Sequence, residues 1–364
     1  MKGSLKLTVG VTGHRDLRPD ETIRIQERVR EFFRDLRHRY PDLHPELVSG
    51  LAEGADSLVA EVALELGIPV VAVLPMEQSL YEEDFSSPEA LQRFHSLLAC
   101  SQTITLAPEP GAAGESGDEE PTGSSAFRRR QYAQLGVFLS NHCQILLTLW
   151  DGRESRETGG THSVTHYHLT GVMPGFESLV ESPSLLADNE NDLAYHIVCS
   201  RAGEAGQPEA GLSPQSCYWI TAHFGRADRE HMPEDYHQMF ERLAMFSADY
   251  TEHRGAIEEQ SQSLLGAKTD RGIPDQCWGI DALYQGADWL AIRYQRLFTR
   301  SLLFSHVLAV FMGLVFIVYS EMLELSYLAW LFLALFGLGI GFHRLGEKRE
   351  WHRKYLDYRA LAEG

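Results

Sequence analysis

A chain of 364 residues with 44% apolar side chains is long enough for two or three structural units and carries enough hydrophobic material for a sizeable core. Its formal charge of −19, from 51 acidic against 32 basic residues, argues against a surface devoted to DNA or RNA, whose phosphates call for clustered Lys and Arg. A small anionic ligand in one locally positive pocket stays open. Five scattered cysteines, Cys100, Cys143, Cys199, Cys217 and Cys277, form no CxxC pair and no zinc spacing with His, which predicts reduced, mostly buried thiols. The N-terminus runs straight toward a strand, so nothing there directs secretion.

Residues 6–12 read as a buried strand ending in Gly13-His14-Arg15, after which Ile25, Val29, Phe32, Leu36 and Tyr40 recur at helical spacing. A short strand over 46–49 leads through Ser49-Gly50-Leu51-Ala52-Glu53-Gly54-Ala55-Asp56 into a helix with Leu58, Val59, Val62 and Leu66 on one face, stopped by Gly67. Residues 70–74 are a continuous apolar run, the mark of a parallel strand covered on both faces. Pro88 suits a first helical turn, Leu91, Phe94, Leu97 and Leu98 supply the apolar stripe, and 103–107 resembles another strand. Residues 108–125 are a low-complexity insertion too polar to bury a core, which predicts a mobile loop. A helix over about 128–140, a strand over 145–150, a helix opened by Gly159-Gly160-Thr161 and a late strand over 195–200 resume the alternation. This order predicts an α/β fold, a doubly wound parallel sheet. From about 230 to 300 the period is helical throughout, which places a boundary near Phe224.

In an open parallel sheet, ligands collect outside the carboxyl ends of the strands, where glycine-rich turns let the backbone approach and helix N-termini supply partial positive charge. Three such turns occur: Gly13-His14-Arg15, the stretch from Ser49 to Asp56, and Asp151-Gly152 with Gly159-Gly160-Thr161. Arg15 suits a phosphate or ribose contact, or a surface pair with Asp16 or Asp20. His14 fits a ligand contact as well as it fits a cap or core position. Asp56 either favours a helix dipole or accepts from a ribose hydroxyl, and Glu53 is equally two-sided. Arg128-Arg129-Arg130 reads as a solvated face or as an anion clamp. His162, His166 and His168 lack an acidic or cysteine partner at zinc spacing, so an ordinary polar helix face is expected rather than a metal site. Neither GxxxxGK[ST] nor GxSxG is present.

The stretches VGVTGHRDL at 9–17, SGLAEGAD at 49–56 and LWDGRESRETGGT at 149–161 together resemble the SLOG superfamily of Rossmann-like domains, over about the first 200 positions. That resemblance implies a Rossmann-like fold whose glycine turns line a pocket for a nucleotide or nucleotide-derived ligand, with Gly13, His14, Arg15, Ser49, Gly50, Gly54, Gly160 and Thr161 in its wall. The LOG enzymes of the superfamily carry PGGxGTxxE, with a glutamate that takes part in hydrolysis. Here the stretch runs Thr158-Gly159-Gly160-Thr161-His162-Ser163-Val164, without that proline or glutamate, which favours binding over hydrolysis. The alternative is a membrane-tethered nucleotide or NAD-derivative hydrolase.

Residues 302–319 and 325–342 are apolar runs close to the ~20 residues that cross ~30 Å of hydrocarbon. The five-residue connector between them, with Glu321 and Glu324, allows only a hairpin. Arg293, Arg296 and Arg300 precede the first run, and Arg344, Lys348, Arg349, Arg353 and Lys354 follow the second. The positive-inside rule then predicts an inner-membrane protein with both its large domain and its C-terminus in the cytosol. Gly337 and Gly341 form a GxxxG spacing that permits close helix contact in lipid. This layout is similar to the SLATT group of two-transmembrane effectors that accompany SLOG sensors, which implies a homo-oligomer, a nucleotide-type signal and a setting in bacterial antiviral defence. The expected organisation is a ligand-binding domain over 1–224, a helical connector over 225–300, a hairpin over 301–343 and a basic helix over 344–364 that continues in a longer chain.

Overall fold

The computed structural model describes residues 5–108, 123–155, 157–173, 175–176, 192–203, 206–222, 225–266, 275–322 and 326–363. Most of the predicted 108–125 insertion, the boundary residue Phe224, the connector residues Leu323 and Glu324, and Gly364 lie outside the described residues. In chain order the elements are β1 (Lys6–Gly13), α1 (Thr22–Arg39), β2 (His44–Ser49), α2 (Ala55–Glu65), β3 (Val70–Leu74), α3 (Gln78–Tyr81), α4 (Pro88–Ala99), β4 (Gln102–Thr105), α5 (Ser125–Asn141), β5 (Ile145–Trp150), α6 (Thr161–Thr170), β6 (Ala194–Val198), β7 (Cys217–Ile220) and β8 (Arg226–Asp228). The α-helices that follow among the described residues are α7 (Glu234–Gln260), α8 (Asp275–Ile317), α9 (Ser326–Lys348) and α10 (Trp351–Glu363).

The sheet has eight strands in the order β4-β3-β2-β1-β5-β6-β7-β8. β1 pairs in parallel with β2 on one side and β5 on the other, so the winding direction reverses between β1 and β5. That reversal is the switch point of a Rossmann-like doubly wound sheet. Right-handed crossovers on the two sides of a switch point put helices on both faces, and β6 shows both layers. Tyr195 meets Phe32 of α1 at 4.6 Å between ring centroids, whereas its neighbour Ala194 packs with Val164 and Leu169 of α6 and Ala133 of α5. Burial on both faces explains why β3 and β5 read as unbroken apolar runs.

Two strands add to the parallel sheet read from the sequence. β7 and β8 extend it antiparallel beyond β6, so the sheet is mixed rather than wholly parallel. They have four and three residues, too few to show an alternation. The cysteines also depart from expectation: Cys143 and Cys199 are buried, Cys217 and Cys277 are intermediate, and Cys100 is exposed.

The chain forms two compact units, Lys6–Glu241 and the part from Arg242 onward with Leu5. The core of the second holds Phe246, Tyr250 and Ile257 of α7, Leu290 and Tyr294 of α8, and Tyr358 of α10. Two helical stretches in it, Cys277–Glu321 and Tyr327–Glu363, are long and apolar enough to cross a membrane. Only 11% and 0% of their most apolar windows are buried, which is not the burial of a soluble protein's core helix. Gly339 of α9 lies against α8, where a Cβ would meet Leu308 at 3.1 Å, while no contact within 4 Å of a Cβ at Gly337 or Gly341 occurs among the described residues.

Candidate functional site

The carboxyl ends of β1 and β5 open into a cavity of about 1160 Å³ within the first unit, at the switch point where an open α/β sheet holds its ligands. Gly13, His14, Arg15, Asp56, Asp151, Gly159, Gly160 and Thr161 of the predicted residues all line it. Ser49, Gly50, Glu53, Gly54 and Gly152 do not, and each has a different task. Ser49 Oγ accepts from the Leu51 amide at 3.0 Å, and Gly50 O accepts from Tyr81 at 2.9 Å. Glu53 binds the amide and hydroxyl of Ser86 at 3.1 and 2.6 Å. A Cβ on Gly54, whose φ is +88°, would stand 2.3 Å from the Arg15 carbonyl oxygen. At Gly152 it would meet Leu212 at 2.4 Å.

The first two glycine turns are locked together. The Ala55 amide donates to His14 O at 3.1 Å, and Gly13 is bare where a Cβ would sit 2.4 Å from Ala55 Cβ. Glycine at 13 and 54 therefore lets the start of α2 abut the end of β1, and this contact sets where Arg15 stands. The guanidinium of Arg15 lies 5.0 Å from the centroid of the Tyr132 ring, with Nη1 3.5 Å from Asp84 O. Burial opposes its charge, but Tyr132, Tyr81 and Asp84 outweigh that and raise its pKa further. The surface pair weighed for Arg15 is not formed. Asp16 is held by Arg201 at 3.0 Å and Asp20 by Arg18 at 3.0 Å, which leaves the Arg15 guanidinium directed to the cavity wall.

His14 Nε2 stands 3.2 Å from both the amide and the carboxylate of Asp151. The imidazole therefore finds a partner whether Nε2 carries a proton or not. Burial pushes against the Asp151 charge, yet hydrogen bonds from His14 and the Arg153 amide hold its carboxyl below the usual range. Asp56 is the opposite case. Burial dominates, the Ala52 and Gly50 backbone and the Arg15 charge only partly offset it, and the pKa rises to about 7. A carboxyl whose folded pKa exceeds its unfolded value binds more protons in the native state, so stability falls as pH rises between 3.8 and about 7. Asp56→Asn should flatten that slope and gain up to about 4 kcal/mol above pH 7. Denaturant titrations of both proteins from pH 5 to about 8 check it, and parallel pH profiles would show that Asp56 ionises freely.

Helix α6 begins at Thr161 after Gly160, which brings no side-chain cap, so the amides of Thr161, His162 and Ser163 have no intrahelical acceptor. Gly159, at φ +81°, presses this turn onto α5, where a Cβ would meet the Ala133 nitrogen at 2.9 Å. The three histidines of α6 do not share one polar face. His168 is buried and lies 3.0 Å from Leu193 O, with burial pulling its pKa to about 4. His162 lines the cavity, its buried Nδ1 has no partner among the described residues, and burial lowers its pKa, with help from His166. No metal-ligand cluster of His, Cys, Asp or Glu occurs among the described residues.

Sequence reasoning did not single out Tyr132, Asp84, Trp150, Arg153 or Arg201, all in the wall. Arg201 follows the carboxyl end of β6, so the rule that found the other turns applies to it as well. Of the arginine run, Arg129 lines the cavity, but Arg128 is committed to Asp84 at 2.6 Å and to Glu83 at 2.6 Å. Arg128 is therefore neither a solvated face nor a clamp. It fixes Asp84, which also accepts from the Tyr132 hydroxyl.

No protein-family model matches the chain, and no curated protein matches it. Among solved structures, DNA processing protein A (DprA) from Streptococcus pneumoniae is similar at 17% identity and a TM-score of 0.26. The match covers 39% of this chain and 41% of that one, so it spans about two fifths of the solved protein's length. The fold of this chain is defined by its own strand order: a Rossmann-like sheet with a cavity at the switch point, followed by a helical unit with two apolar helices.

Proposed function

We propose that the chain is a membrane-bound sensor whose SLOG-like domain takes a phosphate-bearing, nucleotide-derived ligand and whose SLATT-like hairpin responds as an oligomer, in bacterial antiviral defence. The observation that carries the reading is the pairing, at the switch point, of the Arg15 guanidinium with the uncapped start of α6. A guanidinium fork and free amides are the two donor sets that recognise phosphate. The wall also holds Asp16, Asp84, Asp151, Glu154 and Glu157 against Arg15, Arg129, Arg153 and Arg201. With Asp56 added, six carboxyl groups stand against four guanidinium groups, so a polyphosphate is disfavoured and a ligand with one or two phosphates and several hydroxyls fits better. Tyr132, Trp150 and His162 offer ring faces for a base. The basic residues flanking both apolar runs support a cytosolic domain and C-terminus.

Thermal unfolding of the full chain in detergent, across a panel of nucleoside mono-, di- and triphosphates, tests this. Monophosphate- or diphosphate-bearing members should raise Tm in a concentration-dependent way; a flat response across the panel would remove the reading.

Asp56 supports the second reading, a hydrolase, because a carboxyl near pKa 7 inside a cavity is suited to proton transfer. No hydrogen-bonded nucleophile–base pair accompanies it among the described wall residues, so turnover is expected to be absent or slow. Chromatography of nucleotides incubated with the protein decides the matter. Efficient release of free base, lost in Asp56→Asn, would move the hydrolase to first place.

A further inference from the structure

A second cavity, of about 340 Å³, lies wholly within the C-terminal unit. In sequence its lining sits at the cytosolic ends of both apolar runs: Leu297 five residues before Leu302, and Leu345 three residues after Phe342. One ion pair in it is closed. Lys354 Nζ lies 2.7 Å from Asp249 Oδ2, which also accepts from Tyr358 at 2.5 Å and Tyr294 at 2.9 Å.

Arg293 and Arg349 differ from Lys354. Arg293 lies over the Trp289 ring at 5.6 Å, and neither guanidinium has an ionic partner among the described residues. Two cations lining one cavity repel each other, and an anion between them removes that cost. Glu252, the lining carboxylate without a partner among the described residues, offsets one of the two charges. The balance therefore suits a monoanion rather than a dianion. Leu297, Leu345 and Trp351 add apolar surface beside the cations, and an aromatic ring at this level is favoured at a membrane–water boundary.

We propose that this cavity binds the phosphate of a monoanionic phosphodiester, the group carried by a phospholipid headgroup or by its soluble, tail-less counterpart. The lipid source rests on the reading of α8 and α9 as membrane spans, and alkaline carbonate extraction of the membranes tests that reading separately.

Native mass spectrometry of the full chain in detergent, titrated with phosphatidylglycerol, with diacylglycerol of the same acyl chains and with glycerophosphoglycerol, tests the site. Phosphatidylglycerol should bind the wild type and lose about tenfold or more in affinity in Arg293→Gln/Arg349→Gln. Diacylglycerol should not compete. Stronger binding of phosphatidylglycerol than of glycerophosphoglycerol assigns the site to lipid, and equal binding assigns it to the soluble headgroup; both support a phosphate site. Equal affinity of wild type and double variant, with matching circular dichroism and Tm, overturns it, as does diacylglycerol binding as well as phosphatidylglycerol. The single variants keep the test open if the double one misfolds.

Discussion

Arg15→Ala is expected to weaken binding of a phosphate-bearing nucleoside ligand about a hundredfold, the equivalent of roughly 3 kcal/mol for charge-assisted hydrogen bonds to a phosphate. The effect should be large because the guanidinium is held in place: it lies over Tyr132, whose hydroxyl is bonded to Asp84, which Arg128 holds in turn. Preorganisation of this kind means that little is lost on binding, so the charge contributes fully. Gly54→Val should abolish binding by another route. Its Cβ would press to 2.3 Å from Arg15 O at a φ of +88°, where a β-branched residue is strained. The turn that positions Arg15 would have to move, so some loss of stability should accompany it. Calorimetry reads both effects, with circular dichroism to establish folding. A folded Arg15→Ala protein with wild-type affinity for the ligand that stabilises the wild type would place the site elsewhere.

Six of the eight strands are legible in the sequence, most of them because a short apolar run is followed by an amphipathic helix. The continuous burial of Ile145–Trp150 and the stripe of Ile25, Val29, Phe32 and Leu36 are what such a fold requires. β7 and β8 are not legible, since four and three residues give no period and their pairing is set by β6. The site is legible in position more than in roles. Glycine turns mark the carboxyl ends of β1, β2 and β5, yet Gly13, Gly54 and Gly152 are bare because neighbouring chain fills the space of a side chain. Arg129 belongs to the arginine run already weighed as an anion clamp, but Tyr132 and Asp84 come from α5 and from just after α3, where no local motif announces them. Their contribution follows from the crossover that carries α5 back over the sheet, a tertiary fact.

The hairpin is expected to act only as an oligomer. Two apolar helices cannot enclose a water-filled path, since each satisfies its own backbone and exposes Leu303, Val310, Phe311, Trp330 and Phe336. In α9 the glycines divide the work. Gly339 is used inside the hairpin, against Leu308, whereas Gly337 and Gly341, four apart and thus on one face, have open space. That face can take a helix from another copy at close range. His306 Nδ1 lies 2.7 Å from Leu302 O, so the ring stays near its own helix and Nε2 is left for a subunit contact or a pore. In vesicles loaded with a dye, ligand should cause release by favouring one arrangement of subunits over another. Gly337→Leu/Gly341→Leu should release several-fold less dye, with a smaller cross-linked assembly. A strict monomer in the bilayer, with ligand bound and the vesicles intact, would leave the hairpin as a passive anchor, and a monomer that releases dye like the wild type would remove the need for an oligomer.

The central claim is that the switch-point cavity holds a phosphate-bearing, nucleotide-derived ligand, and a native mass spectrum of the full chain purified in detergent tests it most directly. The account predicts an adduct with the mass of a nucleoside carrying one or two phosphates, present on the wild type and absent from Arg15→Ala. An adduct that persists in Arg15→Ala, or a bare chain that no nucleotide in solution adds to, would contradict it.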